Sequence, residues 1–224
     1  MSLTVSANNS GSIFVQVPPG MHLAMCYRII DLGTQQTEYM GKVKFQPKVL
    51  FQFEVHGDGE DGKPLVTPQN EPLSVSKKFT LNLGDQANLR KDLQTWRGKE
   101  FTEEELRSFD LKNVLGAWCM LSITHREYDG KTYSNIENIN TVPTAIKKVG
   151  LPTPHNPIKI FSIAEPDMEL FGEFSDYIKK QITASPEWIA RNDIAPPSEP
   201  NKSKAEAKTE SKKDFSDFED DIPF

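Results

Sequence analysis

The strongest pattern of apolar and polar positions in the 224-residue chain runs from residue 42 to residue 55. Apart from Pro47 the odd positions are apolar, and apart from Leu50 the even positions are polar. Successive side chains of a β-strand point to opposite faces, so this period of two predicts one long strand with one buried face. Because proline cannot donate to the ladder of a central strand, we expect a bend or a sheet edge at Pro47.

Two other stretches are also predicted to be strands. Residues 22–30 are rich in apolar side chains and are followed by a turn predicted for residues 31–33. Residues 73–83 alternate again with their odd positions inward, although Lys77 interrupts the inward set. These two stretches and the long strand would supply the first half of a β-sheet.

A β-hairpin is predicted within residues 116–139. The dipeptide Asp129-Gly130 lies between two β-rich runs, and it is the strongest short hairpin signal that a sequence can carry. A two-residue turn at this point predicts three cross-strand pairs, namely Tyr128 with Lys131, Arg126 with Tyr133, and Thr124 with Asn135.

Helical segments are predicted before and after this hairpin. Residues 86–96 and 102–109 have helical character, and Thr102 followed three residues later by Glu105 is a capping box. After the hairpin, an amphipathic helix is predicted to pack on the body of the protein. Its apolar residues are Met168, Phe171, Phe174, Ile178 and Ile182.

This order of elements predicts the fold class. Five strands with a helical insertion before the last hairpin are typical of the OB-fold, a Greek-key barrel that binds oligonucleotides on its strand face and loops. We therefore predict a mainly β protein, with a five-stranded OB-fold barrel, a C-terminal helix and a disordered acidic tail. A generic β-sandwich is the competing architecture, and the helices between the third and fourth strands favour the barrel.

Composition divides the chain into three parts. Residues 1–195 are predicted to form the folded domain. Residues 196–213 contain, apart from proline, two alanines as their apolar side chains, which predicts a flexible linker, and residues 214–224 form an acidic tip. The chain has no apolar run that could span a bilayer and its polar N-terminus lacks a signal-peptide pattern, so we expect a cytoplasmic protein.

The net charge of −6 does not by itself favour a nucleic-acid partner. Its distribution changes the picture, because residues 196–224 hold five lysines and eight acids. The rest of the chain, with 21 cations against 24 acids, is nearly balanced. A cationic surface would therefore have to come from segregation of charge onto one face.

Such a face is suggested by the outward positions of the predicted strands, which combine cations with aromatic rings. Lysines attract the phosphates of a nucleic acid, and flat rings stack on unpaired bases without reading sequence. The alternative is that these side chains are solvated edge residues and ordinary cross-strand pairs. The predicted DNA-binding residues are Lys42, Lys44, Lys48, Lys77, Lys78, Arg126, Tyr128, Lys131 and Tyr133.

Catalytic chemistry is not suggested anywhere in the sequence. The four histidines are scattered, and Cys26 and Cys119 have no Cys-x-x-Cys partner, so no zinc site is predicted. Both cysteines lie in apolar stretches and are predicted to be buried free thiols. No nucleophile and base occur at an interpretable spacing, which predicts a protein that is not an enzyme and that needs no cofactor or metal.

The last residues of the chain, DFSDFEDDIPF, resemble the C-terminal tip of bacterial single-stranded DNA-binding proteins. Glu219 stands where another aspartate is usual in that family. The resemblance implies that the tip binds host replication and repair proteins, with a pocket for the Phe224 ring and basic residues for its carboxylate and the acidic run. The residues expected to make these contacts are Asp217, Phe218, Glu219, Asp220, Asp221, Ile222, Pro223 and Phe224.

The body of the chain resembles phage-encoded single-stranded DNA-binding proteins rather than the bacterial family. The likeness spans roughly residues 20–190 and depends on the segment Gly116–Ile139 and on the order of elements. It implies a phage protein that binds single-stranded DNA without sequence preference during replication, recombination or repair in the bacterial cytoplasm. Its tail would then recruit host enzymes to phage DNA.

Two other functions remain open from the sequence. The chain could be a protein-interaction adaptor that imitates the host tip, or a strand-annealing recombination protein that also speeds the pairing of complementary strands. The oligomeric state could be monomer or dimer, since strand edges allow either. The five carboxylates of residues 214–224 also suggest that the tip competes with DNA for the protein's own lysines.

Overall fold

The computed structural model describes residues 15–39, 41–59 and 61–192, so the predicted linker (196–213) and tip (214–224) lie outside the described residues. Within these described residues there are six strands: β1 Gly20–Tyr39, β2 Lys42–His56, β3 Ser74–Thr80, β4 Trp118–Tyr128, β5 Lys131–Asn140 and β6 Lys159–Phe161. The α-helices are α1 Asn88–Arg97, α2 Glu103–Arg107, α3 Thr144–Val149, α4 Met168–Glu173, α5 Asp176–Thr183 and α6 Pro186–Asn192.

The strands form one open sheet in the order β3-β2-β1-β4-β5, and all neighbours in this order are antiparallel. The short β6 was not expected from the sequence and pairs in parallel with residues 28–30 of β1. The prediction of a mainly β fold is therefore confirmed. In the described part of the chain, no strand pairing joins β3 to β5, so the sheet is not closed by hydrogen bonds into a barrel.

Strand β1 is about twice as long as predicted, and the turn expected at residues 31–33 is wrong. The strand continues to Tyr39 through a β-bulge between Asp31 and Gly33. The Oδ1 atom of Asp31 accepts the backbone N–H of Gly33 at 2.9 Å, and Gly33 adopts a positive φ of 68°. An Asp and a Gly that usually signal a turn here bend a strand without ending it.

The alternation along β2 predicts its burial correctly in one half only. From Val49 to Val55 the odd side chains are buried, as expected, but Val43 and Phe45 are 50% and 64% exposed. The even side chains are not all outside either, since Leu50 and Glu54 are buried. Both departures follow from what lies opposite the strand: residues 48–56 are covered on both faces, whereas residues 42–46 extend past both covering layers.

Two hydrophobic cores account for this covering. The inner core lies between the concave side of the sheet and α1, where Trp96 packs 5.7 Å from Phe53 and donates its Nε1–H to the carbonyl of Trp118. The outer core joins Leu50 on the other face of the sheet to the C-terminal helices. The predicted amphipathic helix is in fact α4 and α5, and of its apolar residues only Met168 is exposed.

Several local predictions are confirmed, whereas Leu81, which was expected to point inward, lies beyond the end of β3 and is exposed. The helical segments are α1 and α2, and the capping box of Thr102 and Glu105 is present. The β4–β5 hairpin has the predicted register, with Asp129 and Gly130 at positive φ in the turn. Cys26 and Cys119 are free and buried, and burial raises the pKa of both thiols well above the usual range. Among the described helices, none is both long and apolar enough to cross a bilayer.

Candidate nucleic-acid interface

The predicted DNA-binding residues are divided between the strands β2 and β3 on one side of β1 and the β4–β5 hairpin on the other. Lys42 pairs with Tyr39 at the end of β1. Ile123 pairs with Gly20 at its start, and the β4–β5 hairpin continues beyond that point to Tyr128. The structure therefore divides these residues into two groups that meet at Glu137, which contacts both Lys77 and Arg126, whereas the sequence suggested a single face.

Lys48 does not face solvent, so its expected exposure is wrong. Its side chain is buried, and its Nζ donates to the hydroxyl of Thr80 at 2.8 Å. In the sheet Lys48 lies opposite Gly33, and the α5–α6 junction covers this pair, because a Cβ on Gly33 would come within 2.5 Å of Ser185. The C-terminal helices thus cover the outer face of the sheet around Lys48.

Lys77 is held between three elements. Its Nζ forms an ion pair with Asp92 of α1 at 2.8 Å and donates to the carbonyl oxygen of Glu137 in β5 at 3.1 Å. The side chain of Lys77 is about nine-tenths buried. These contacts draw the β3 edge towards the β5 edge, so the main role of this lysine is structural even though it also borders a groove.

That groove is lined mainly by cations and amides. It has a volume of ≈ 560 Å³ and runs along β3 and the following loop, beside the start of β2. Asp85 is the acid in its lining, and it is paired with Arg90 at 2.5 Å. Thr80 also borders the groove, and the lysines and amides of the lining are Lys44, Lys77, Lys78, Gln46, Asn82, Gln86 and Asn88.

The amides of this groove were missed in the sequence. Asn82, Gln86 and Asn88 lie in or next to the loop between β3 and α1, where no periodicity marks which side chains share a face. The one available signal was compositional, since the stretch 82–88 is polar apart from Leu83 and Ala87. Amide side chains can donate to phosphate oxygens and can accept from base edges, and so they suit either part of a nucleotide.

The second group of predicted residues lies on the β4–β5 hairpin, where the expected pairs Arg126–Tyr133 and Tyr128–Lys131 are present. Arg126 forms an ion pair with Glu137 at 2.9 Å, a partner that the sequence did not reveal because a β-bulge brings it to this side. The hydrogen bond from Arg126 is the main reason why the pKa of Glu137 is lowered. The charge of Arg126 is therefore already compensated within the hairpin.

A buried carboxylate stabilises the other end of β2. Glu54 is fully buried and accepts hydrogen bonds from the His56 ring and from the backbone N–H groups of His155 and Asn156. Burial raises its pKa, but these hydrogen bonds outweigh burial and the pKa is lowered overall. The contact attaches the segment before β6 to the sheet.

In the described chain, no group of three or more His, Cys, Asp or Glu side chains could hold a metal ion.

Comparisons with known proteins do not assign the chain to a family. No protein-family model matches the sequence, and no curated protein matches it significantly.

Proposed function

We propose that the protein binds and protects single-stranded DNA, without sequence preference, during phage DNA replication, recombination or repair in a bacterial cell. The observation that carries this proposal is the groove along β3, a space of ≈ 560 Å³ lined by lysines and amides, whose bordering acid is paired with Arg90. The chain has a net charge of −6, yet the lining of this groove holds three lysines, of which Lys77 is paired with Asp92, against one acid. Such a place fits a polyanion better than it fits a neutral ligand.

An OB-fold is the architecture that we propose for residues 15–140. The order β3-β2-β1-β4-β5 has β3 and β5 at the two edges, which is the arrangement that a five-stranded OB barrel requires before it closes. The contact of Lys77 with the Glu137 carbonyl supports the closure, as does an inner core to which all five strands contribute. Because OB barrels are partly open, a side-chain bridge at this seam is compatible with the fold.

The groove would bind the backbone of the strand. Lys44 and Lys78 would approach the phosphates, while Gln46, Asn82 and Asn88 are able to bond either phosphates or bases. Lys48 has no place in this interface, because it is buried beneath the C-terminal helices. The β4–β5 hairpin, with Tyr128 exposed at its tip, would be a second and weaker contact at the far end of β1.

The acidic tip supports the recruiting part of the function through its sequence alone. Residues 214–224 lie outside the described residues, so their support is the resemblance to the tip of bacterial single-stranded DNA-binding proteins. We propose that the tip recruits host replication and repair proteins to DNA held by the folded domain.

The test is a titration of labelled oligo-dT of about 30 nucleotides, longer than the roughly 4–16 that one OB-fold covers, at several salt concentrations. The variant Lys44→Ala/Lys78→Ala should bind more weakly. Each lost phosphate contact lowers the slope of log K against log salt by about 0.7, so we expect a reduction of about 1.4 in this slope. The matched control is Lys147→Ala/Lys148→Ala, which removes two lysines from α3 and should leave the slope unchanged.

Two outcomes would overturn this proposal. If the full-length protein and a variant lacking residues 214–224 both fail to bind at low salt, the chain is an adaptor whose tip carries the activity. If the slope of log K against log salt falls by the same amount in both double variants, the charge effect is not located in the groove. If the wild type speeds the pairing of complementary strands, the annealing function is favoured instead, because a protein that only binds and protects single strands does not have to speed their pairing.

A further inference from the structure

Thr80 lies where the covered part of the sheet meets the groove. It is the last residue of β3, and the N–H of the next residue, Leu81, donates to the carbonyl of Pro47 at 2.8 Å, which fixes this end of the strand to β2. Thr80 is also directly opposite Lys48, and directly opposite residues point to the same face of a sheet. Lys48 is buried, whereas Thr80 is only partly buried and borders the groove. The threonine therefore connects a buried lysine to the surface of the groove.

The hydrogen bond between the two side chains determines what the hydroxyl of Thr80 can do. A lysine ammonium has N–H donors and no acceptor, so the Oγ1 atom of Thr80 must accept from the Nζ of Lys48 at 2.8 Å. The hydroxyl keeps its own hydrogen to donate, and no described residue accepts it. A hydroxyl that accepts a hydrogen bond is polarised by it and becomes a stronger donor. The O–H of Thr80 is therefore a prepared donor at the border of the groove.

The surroundings of this donor suit an anion. Lys78 lies two residues before Thr80, on the same face of β3, and borders the groove. Lys44 and Gln46 lie on the same face of β2 as Lys48, and they also border the groove. A group that approaches the Thr80 hydroxyl thus meets cations and an amide, which favours a phosphate oxygen over a neutral acceptor.

We propose that the hydroxyl of Thr80 donates a hydrogen bond to a phosphate oxygen of the strand held in the groove, and that Lys48 is a positioning residue which orients this hydroxyl. The inference rests on the function proposed above. Lys48 itself stays buried and touches no phosphate, so its part in binding is indirect. Neither role follows from the charges along the strands, because the contact is made by a neutral side chain.

A hydroxyl contact differs from a lysine contact in its dependence on salt. A lysine that neutralises a phosphate releases counterions, so its contribution to affinity weakens as the salt concentration rises. A neutral hydroxyl releases none, and its hydrogen bond is directional. Thr80 would therefore supply a part of the affinity that persists at high salt, whereas the lysines of the groove supply the part that is lost.

The experiment compares Thr80→Val and Thr80→Ser with the wild type for binding to labelled oligo-dT at several salt concentrations. Valine keeps the branched shape and removes the hydroxyl, so affinity should fall by about tenfold, as expected for one hydrogen bond to a charged group. The slope of log K against log salt should stay at the wild-type value, because no cation is lost. Thr80→Ser keeps the hydroxyl and should bind as the wild type does.

A second pair of variants tests the role of Lys48. In Lys48→Met the hydroxyl is no longer oriented before binding, so the phosphate has to order it and the contact is weaker. Adding Thr80→Val to Lys48→Met should therefore lower affinity by about threefold instead of about tenfold. The double variant removes donor and acceptor together, so this comparison holds even if Thr80→Val alone leaves the buried ammonium without its acceptor and does not fold.

The control is Thr183→Val, which removes a threonine hydroxyl from α5 and should leave affinity unchanged. Wild-type affinity in Thr80→Val or a lowered salt slope would overturn the phosphate contact, as would no loss when Thr80→Val is added to Lys48→Met. Equal losses with and without Lys48 would overturn the positioning role. Failure of the wild type to bind oligo-dT would overturn the proposed function itself, whereas binding that depends on Lys44 and Lys78 but not on Thr80 would overturn this inference alone.

Discussion

The two halves of β2 carry the same alternating pattern but occupy opposite environments. In the half from Lys48 to His56, both faces of the strand are covered, and even Lys48 and Glu54 are buried. In the half from Lys42 to Pro47, neither face is covered, and Phe45 is exposed to solvent. Alternation thus establishes that a segment is a strand, but the layers packed against it determine what its side chains can do.

The covering layers explain why the two halves differ in function. The inner core and the C-terminal helices enclose residues 48–56, so that this half holds the structure together. Residues 42–45 extend past both layers, which leaves Phe45 exposed. In the covered half, Lys48 donates to Thr80 of β3 and Glu54 accepts from His155 and Asn156, whereas Lys44 and Gln46 border the groove.

The largest expected contrast is between Phe53→Ala and Phe45→Ala. Phe53 is completely buried in the inner core, so its truncation should lower the free energy of unfolding by about 3–5 kcal/mol. Phe45 has no buried surface of that extent, and its truncation should change stability by less than about 0.5 kcal/mol. Urea denaturation of both variants provides the measurement. If Phe45→Ala lowers the free energy of unfolding by several kcal/mol, Phe45 must be packed against the rest of the folded domain.

The second contrast uses two glycines with nearly the same backbone conformation. Gly33 and Gly41 have φ of 68° and 71°, but a Cβ on Gly33 would lie 2.5 Å from Ser185, whereas one on Gly41 meets no described atom within 4 Å. Gly41→Ala should cost about 1 kcal/mol for the positive φ alone. Gly33→Ala adds overpacking and should cost about 2–4 kcal/mol.

Thermal unfolding of the two glycine variants separates these effects. The difference between them measures how tightly the α5–α6 junction closes over the sheet. Equal losses would contradict the packing described here, because they would show that the C-terminal helices move away at little cost.

How far the sequence predicts this fold depends on the range of the interaction. The turn of the β4–β5 hairpin and the three pairs next to it were predicted correctly, because Asp129-Gly130 specifies the turn and the turn specifies the register. The capping box of α2 is equally local. The length of β1 was not predictable, since the bulge at Gly33 packs against Ser185 and Glu187, far along the chain. Local signals indicate elements, but the contacts between distant segments decide where those elements end.

The same distinction applies to the candidate site. The exposure of Lys42 and Lys44 follows from their strand, and the sequence predicted it. The burial of Lys48 and the ion pair of Arg126 with Glu137 depend on the C-terminal helices and on a β-bulge, respectively. A single sequence has no periodicity that reveals either. Candidate binding residues on a strand face are therefore predicted reliably only where no other layer packs on that face.

The smallest expected effect concerns Glu54 at the covered end of β2. In Glu54→Gln the new amide N–H₂ would face groups that are themselves donors, so a hydrogen bond is lost in a buried place. The free energy of unfolding at neutral pH should therefore fall by about 1–3 kcal/mol. The control is Glu137→Gln, where a partly exposed carboxylate can exchange its donors for water and the loss should be smaller. The measurement is urea denaturation of the wild type and both variants as a function of pH.

The pH dependence follows from the lowered pKa of Glu54. A carboxyl group whose pKa is lower in the folded than in the unfolded state stabilises the fold above the unfolded value, and this contribution is lost as the pH falls through the folded value. The difference in stability between the wild type and Glu54→Gln should therefore be complete above the ordinary value of 4.5 and should shrink below it. A difference that stays constant down to the acid transition would mean that folding does not change the pKa of Glu54, whereas a difference that shrinks as the pH rises above 4.5 would mean that Glu54 is protonated in the folded protein.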